Sequence, residues 1–172
     1  MENNIIKINT YLSFMIDNEY FAINVGKVLE VLRKQKITRV PNIGNDLKGV
    51  INFRGEIIPV FETRTRFGLQ DRNAEETYVV IVLELTTSGK KSIIGAMADK
   101  VKDVIEIDDK DIMPVPKISS KIKEELITGI VKQKDDYILM LDVDKMFSEQ
   151  EIGEMNELKT EDGRLKNAKN YE

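Results

Sequence analysis

The sequence predicts an all-β protein built from two copies of one small barrel-forming unit. Apolar residues alternate with a period of two, not 3.6, along most of the chain. Clusters of turn-forming residues separate short, evenly spaced runs, the pattern of barrels and sandwiches. Residues 49–67 align without a gap on residues 129–147: the glycine, the apolar pair after it, a polar turn, an apolar strand, an acidic residue and a closing Phe all coincide.

The elements follow in order. Residues 11–16 and 20–23 are two strand-like runs joined by Asp17-Asn18-Glu19, a hairpin. Residues 29–32, 49–53 and 56–61 are further strands. Residues 78–85 are β-branched and almost continuously apolar, which suits a strand buried on both faces, and Thr87-Ser88-Gly89-Lys90 turns it into residues 92–98. Strands over 101–107, 128–132 and 137–141 complete the set. Helical signals are confined to 25–28, 62–67 and the tail. In that tail, Ser148-Glu149-Gln150-Glu151 has the form of a capping box, and Ile152, Met155 and Leu158 follow as one narrow apolar stripe weakened by Gly153. The remainder to residue 172 is polar and expected to be disordered, so residues 10–147 form the domain and 148–172 an extension. With about five short strands, each half is too small for an independent core. Closing each into a barrel would hide its sheet edges, and the two would share an apolar interface.

Composition removes most chemistry. The 172 residues contain no His and no Cys, which excludes Ser-His-Asp triads, Cys-His dyads, zinc and iron–sulfur sites, and disulfides. Neither a catalytic role nor a cofactor is expected. The net charge is −4, of which residues 148–172 carry −3, so the body is nearly neutral. The N-terminus lacks a basic segment followed by an apolar one, and no apolar run approaches membrane-spanning length; a cytoplasmic protein without direct membrane insertion is expected.

The weak motifs are best read as surface. Ser88-Gly89-Lys90-Lys91 and Ser120-Lys121-Ile122-Lys123 satisfy S-x-x-K without its companion motifs. Asp108-Asp109-Lys110-Asp111 lacks the glycine and distal glutamate of a calcium loop and fits a solvated strand-end turn. Arg33-Lys34-Gln35-Lys36, followed by Arg39, is the compact basic cluster and supports the alternative function, a small nucleic-acid-binding barrel. Against it, no aromatic residue interleaves with the charges, and an edge strand kept soluble by Lys and Arg explains them as well.

Gly49-Val50-Ile51-Asn52-Phe53-Arg54-Gly55-Glu56-Ile57-Ile58-Pro59-Val60 reads physically as strand, tight Arg-Gly turn and strand. This pattern closely resembles the chemotaxis coupling proteins, the CheW family. The resemblance runs from about Thr10 to Phe147 and includes Lys27-Val28-Leu29-Glu30-Val31, Ile37-Thr38-Arg39-Val40-Pro41 and Arg66-Phe67-Gly68. It implies two intertwined five-stranded SH3-like barrels. It also implies a non-enzymatic adaptor, recruited to membrane receptor arrays, between chemoreceptor cytoplasmic tips and the regulatory domain of the chemotaxis histidine kinase. By motif position it assigns Val28, Glu30, Gly49, Asn52 and Arg54 to receptor binding and names no residue for kinase contact. Val28 and Gly49 also fit purely structural roles, an apolar core residue and a backbone corner. The family's usual Asp-Leu-Arg after Pro59-Val60-Phe61 is replaced by Glu62-Thr63-Arg64, which makes the helix there the least secure element. The chain holds no receiver-like segment, which sets the expectation of a stand-alone coupling protein.

Overall fold

The computed structural model describes residues 8–40, 46–115 and 125–157. The first repeat contributes β1 (Ile8–Ile16), β2 (Glu19–Asn24), β3 (Val28–Arg33), β4 (Leu47–Phe53) and β5 (Glu56–Glu62), followed by the one-turn helix α1 (Thr63–Arg66). The second contributes β6 (Val79–Thr87), β7 (Lys90–Ala98), β8 (Lys100–Asp108), β9 (Ile127–Gln133) and β10 (Asp136–Leu141), and α2 (Glu149–Glu157) ends the described chain. Short 3-10 turns lie at Val25–Lys27, Asp109–Asp111 and Val143–Lys145. Local chemistry explains the hairpins. Asp17-Asn18, Arg54-Gly55 and Ser88-Gly89 each place both central residues at positive φ, the geometry whose twist matches antiparallel strands.

The strands are not divided half by half. One sheet has the order β8-β1-β2-β10-β9 and the other β3-β6-β7-β5-β4, so each takes two strands from one repeat and three from the other. Advancing every strand number by five, cyclically, converts one order into the other. The parallel pairings obey the same relation, β10 with β2 and β5 with β7. Treating each half as its own barrel is thus corrected to two barrels that exchange strands, the intertwined form the family resemblance implied.

Each sheet closes through one backbone bridge. Downstream of edge strand β3, Thr38 exchanges hydrogen bonds of 2.9 and 2.8 Å with Val50 on the opposite edge, β4. Downstream of β8, Met113 does the same with Ile130 on β9, at 2.8 and 2.9 Å. The glycine that opens each aligned segment lies beside its bridge. A Cβ on Gly49 would stand 2.1 Å from the Thr38 carbonyl oxygen, and one on Gly129 would stand 2.3 Å from Ile112 Cγ2. Closure therefore needs a residue without a side chain at Gly49, where the backbone is in the way, and favours one at Gly129, where the Ile112 side chain would have to move.

Period-two alternation sorts the side chains into three apolar clusters. Ile58, Val60, Val80, Val82 and Met97 fill one barrel, and Ala22, Ile107, Val131, Ile138 and Met140 fill the other. The largest cluster lies between the sheets and includes Phe14, Phe21, Phe61, Phe67, Leu83, Leu141 and Phe147. Strand β6 serves two clusters at once, with Val80 and Val82 on one face and Ile81, Leu83 and Leu85 on the other, as its continuous apolar run requires.

The end of the described chain braces this shared core. Ser148 and Glu151 form the reciprocal capping box, each backbone N–H donating to the other's side chain at 3.1 Å. Ile152 and Met155 are buried in the central cluster, while Leu158 lies outside the described residues. Arg66 stacks its guanidinium 4.4 Å from the Phe147 ring centre, donates to the Met146 carbonyl at 2.6 Å and pairs with Asp46 and, bidentately, with Glu151. Those Arg66 hydrogen bonds hold the Glu151 carboxyl down to about 2.

Three outcomes follow. A fragment ending near Leu69 contains β1 and β2 but none of β8, β9 and β10, so it should show no sharp thermal transition, whereas the whole chain should unfold in one. A fragment that melts sharply would contradict strand exchange. Gly49→Ala meets a backbone oxygen and should cost about 3 kcal/mol or more in denaturant titration, whereas Gly129→Ala meets a movable Ile side chain and should cost about 1–2 kcal/mol. Because Glu151 titrates lower in the folded chain than in the unfolded one, its stabilisation is present above pH 4.5 and lost as pH falls toward about 2. Glu151→Gln should accordingly lower stability near neutral pH by about 1 kcal/mol, with the deficit vanishing near pH 2.

Candidate functional site

The site predicted from sequence is assembled across the closure of one barrel. On β3, the register against β6 shifts between Val28 and Glu30, which makes Leu29 a bulge residue. The bulge sends three successive side chains to three environments. Val28 is half-buried against the shared central cluster, Leu29 packs into the interior of its own barrel, and Glu30 is exposed. Without the bulge, Val28 and Glu30 would share one face of the strand.

The β4–β5 corner supplies the opposing groups. Asn52 accepts a hydrogen bond from the Gly55 N–H at 3.0 Å, spending its side-chain oxygen on holding the turn. Arg54 has φ 53°, a left-handed backbone that costs a non-glycine residue about 1 kcal/mol. Its guanidinium lies 4.7 Å from the Phe53 ring centre and 3.7 Å from the Glu30 carboxylate. The Arg54 and Glu30 side chains remain 65% and 42% exposed, so the pair is worth little as stability and its polar atoms stay open to a partner.

Of the five predicted residues, then, the structure brings Glu30 and Arg54 into contact and places Asn52 beside them as the brace of the turn. Val28 is one bulge away, turned to the core. Gly49 is buried at the Thr38–Val50 bridge, where its lack of a side chain is used for closure.

Two ion-pair groups of this barrel had no signal in the sequence. Lys27, beside Val28, pairs at 2.7 Å with Asp144, whose other carboxylate oxygen accepts the Thr86 N–H at 2.8 Å, so the start of β3 is fastened to the second repeat. At the far end of the same barrel, Asp99 receives Arg64 bidentately at 3.2 and 2.7 Å and Arg72 at 2.8 Å, and Arg72 also grips the fully buried Glu62. Burial alone would push the Asp99 carboxyl up; the Arg64 hydrogen bond, the Asp17 N–H and Arg72 together hold it below the usual carboxylate range. Glu62 also accepts from the Arg64 N–H at 3.2 Å, so the substituted residue still caps α1.

The weaker motifs are placed as surface. Ser88 donates to Glu149, and Lys91 lies 3.6 Å from Glu84; Ser120 and Lys123 fall outside the described residues. Asp109–Asp111 forms a capped 3-10 turn. Among the described residues no group of His, Cys, Asp and Glu could hold a metal ion, and no helix is long and apolar enough to cross a membrane. Arg33, Lys34, Lys36 and Arg39 are exposed, with Lys34 5.5 Å from the ring centre of the half-buried Tyr78.

Residues 10–151 match the family model for the CheW-like domain, which covers the corner, both repeats and the capping box of α2. The chain belongs to the CheW family. It is 31% identical over 142 residues to the chemotaxis protein CheW of Klebsiella aerogenes, 83% of either chain, and 32% identical over 138 residues to that of Helicobacter pylori, 79% of either chain. The crystal structure of the scaffolding protein TtCheW from Thermoanaerobacter tengcongensis superposes with a TM-score of 0.72 at 30% identity, covering 82% of this chain and 93% of that one. Membership accounts for the mostly-β fold and makes the protein a chemotaxis scaffold. The nucleic-acid alternative draws no support from any of these matches.

Proposed function

We propose that this CheW-family scaffold acts as a non-enzymatic adaptor joining chemoreceptor cytoplasmic tips to the regulatory domain of the chemotaxis histidine kinase, and that it reaches membrane receptor arrays through those partners. The observation that carries the receptor side is the corner at Asn52, Arg54 and Glu30. It is rigid, it holds an exposed cation and anion in contact, and it occupies the stretch where the chain most resembles the coupling proteins. A corner whose backbone is already fixed loses little conformational entropy on binding. Glu30 and Arg54 supply the polar contacts, Asn52 holds the turn, and Val28 and Gly49 set the shape of the strands that carry them. On the same reading residues 10–147 are the coupling unit and 148–172 an extension whose first turns brace it.

Titration of the full-length protein against a receptor-tip fragment and, separately, the kinase regulatory domain tests this. Arg54→Ala should weaken receptor-tip binding roughly tenfold or more, equivalent to about 1.4 kcal/mol, leave the circular dichroism spectrum unchanged and alter kinase binding little. Equal loss toward both partners would mean one shared surface, and unchanged receptor binding would remove Arg54 from the site.

A further inference from the structure

The described chain passes from one sheet to the other twice, from β2 to β3 and from β7 to β8, and the fivefold strand advance superposes one crossing on the other. The bulges that follow coincide as well, Leu29 against β6 and Lys102 against β1. Lys27 at the first crossing therefore corresponds to Lys100 at the second, and Asp99 stands just before it. Each crossing is pinned by an ion pair to the turn that follows the last strand of a repeat. Asp99 pairs with Arg64 on α1, after β5, and Lys27 pairs with Asp144 in the 3-10 turn after β10, both at 2.7 Å. Arg64 and Asp144 are equivalent positions in the gapless alignment of residues 49–67 on 129–147. In both pins the carboxylate also accepts a backbone N–H from a hairpin, that of Asp17 at 2.9 Å and that of Thr86 at 2.8 Å. The charges have changed sides between the two pins and the tie has stayed, so it answers to the crossing and not to either side chain.

The pins differ in strength. The Arg64 and Asp99 side chains are 9% and 22% exposed and Arg72 joins them, whereas Lys27 and Asp144 are 31% and 26% exposed. A half-exposed pair adds little to stability, so its value lies in where it holds the chain. Its anchor is firm. Asp142 accepts the Asp144 N–H at 3.1 Å, and Val143, Met146 and Phe147 around the turn are set into the central cluster. What it holds is the approach to the Glu30–Arg54 corner. Lys27 immediately precedes β3, three residues before Glu30, and the ladder with β6 is interrupted between them at Leu29. Pairing with β6 alone therefore does not fix how Glu30 leaves the strand.

We propose that Lys27 and Asp144 are positioning residues for receptor binding: their ion pair holds the start of β3 against the second repeat and so keeps Glu30 opposite Arg54, at 3.7 Å. Neither residue contacts the receptor, since both act through Glu30. This role rests on the corner being the receptor contact of the proposed function.

Two measurements on the full-length protein test it: titration with a receptor-tip fragment, and amide hydrogen exchange across residues 28–33. Asp144→Asn keeps an oxygen for the Thr86 N–H and removes the charge, and Lys27→Met keeps the apolar stem. Each should weaken receptor-tip binding about fivefold and speed exchange in β3 by a similar factor, with the circular dichroism spectrum and thermal midpoint nearly unchanged. Lys27→Arg keeps the charge and should bind as the wild type does. In an Arg54→Ala background, Asp144→Asn should weaken binding no further, because the contact it positions is already gone. Additive losses in that double variant would overturn the proposal by showing a general structural defect. Unchanged exchange in β3 would overturn it as well, as would an Asp144→Asn protein that binds receptor tips normally while Arg54→Ala does not. If Arg54→Ala itself binds normally, the corner is not the receptor contact and the positioning role toward the receptor falls with it; faster exchange in Asp144→Asn would then show that the pin still holds the strand.

Discussion

The constraint on which the structure depends is the exchange of strands between its two repeats. The sheet β8-β1-β2-β10-β9 cannot form until strands from both ends of the described chain are present, because β1 and β2 must find β8, β9 and β10 across the whole length of the other barrel, whose strands run from Val28 to Ala98. Such long-range pairing costs loop-closure entropy before any contact repays it. The central apolar cluster supplies that repayment, since its Phe and Leu residues come from both repeats and from both sheets at once. It follows that the two barrels are one cooperative unit with a single large core and two small satellites. The final short helix belongs to this arrangement: Ile152 and Met155 are set into the central cluster, and Arg66 ties Glu151 to the first repeat.

The sequence made the strands legible because period-two burial leaves a direct trace. All ten anticipated strands occur within a few residues of their expected bounds, and the duplication was visible in the gapless alignment of residues 49–67 on 129–147. What the pattern could not carry is which repeat a strand pairs with, since an alternating strand presents the same faces to a neighbour from either half. The resemblance to coupling proteins resolved that point, not the residues alone. The site was legible in the same uneven way. The Arg-Gly turn identified the corner, but the bulge at Leu29 that separates Val28 from Glu30 depends on register with β6, which no local motif reports. Glu62, marked as a weak cap, is buried in an ion-pair network with Arg72, and nothing in the spacing of residues 62, 64, 72 and 99 reveals that they meet.

Closure links fold to site. Glu30 and Arg54 lie on opposite edges of one sheet order, β3 and the turn after β4, and they come within 3.7 Å because that sheet is curled shut. The Thr38–Val50 bridge that shuts it requires Gly49. A substitution at Gly49 would thus disturb the corner without Gly49 ever touching a partner, whereas Arg54 and Glu30 can be changed with the barrel intact. The same distinction applies to Lys27 and Asp144, whose ion pair fixes where β3 begins and hence where Val28 and Glu30 point.

The two repeats act as controls for each other. Where closure constrains the backbone they agree: Gly49 and Gly129 stand beside equivalent bridges, and the edge strands bulge at equivalent positions, although Leu29 occupies one bulge and Lys102 the other. Where a side chain reaches solvent they differ. The counterparts of Glu30 and Arg54 are Asp103 and Lys134, which form no ion pair with each other or with another of the described residues, and the Asp103 backbone exchanges hydrogen bonds with the Ser13 hydroxyl at 3.0 and 3.1 Å. Yet Lys134 keeps the left-handed backbone of Arg54, φ 55° against 53°, so the strained turn belongs to the scaffold and the charge contact to one copy of it. Strain at Arg54 is therefore no sign of function by itself. What distinguishes the first repeat is that its strained turn and its bulged edge strand carry opposite charges within reach of one another, on a frame that both repeats share.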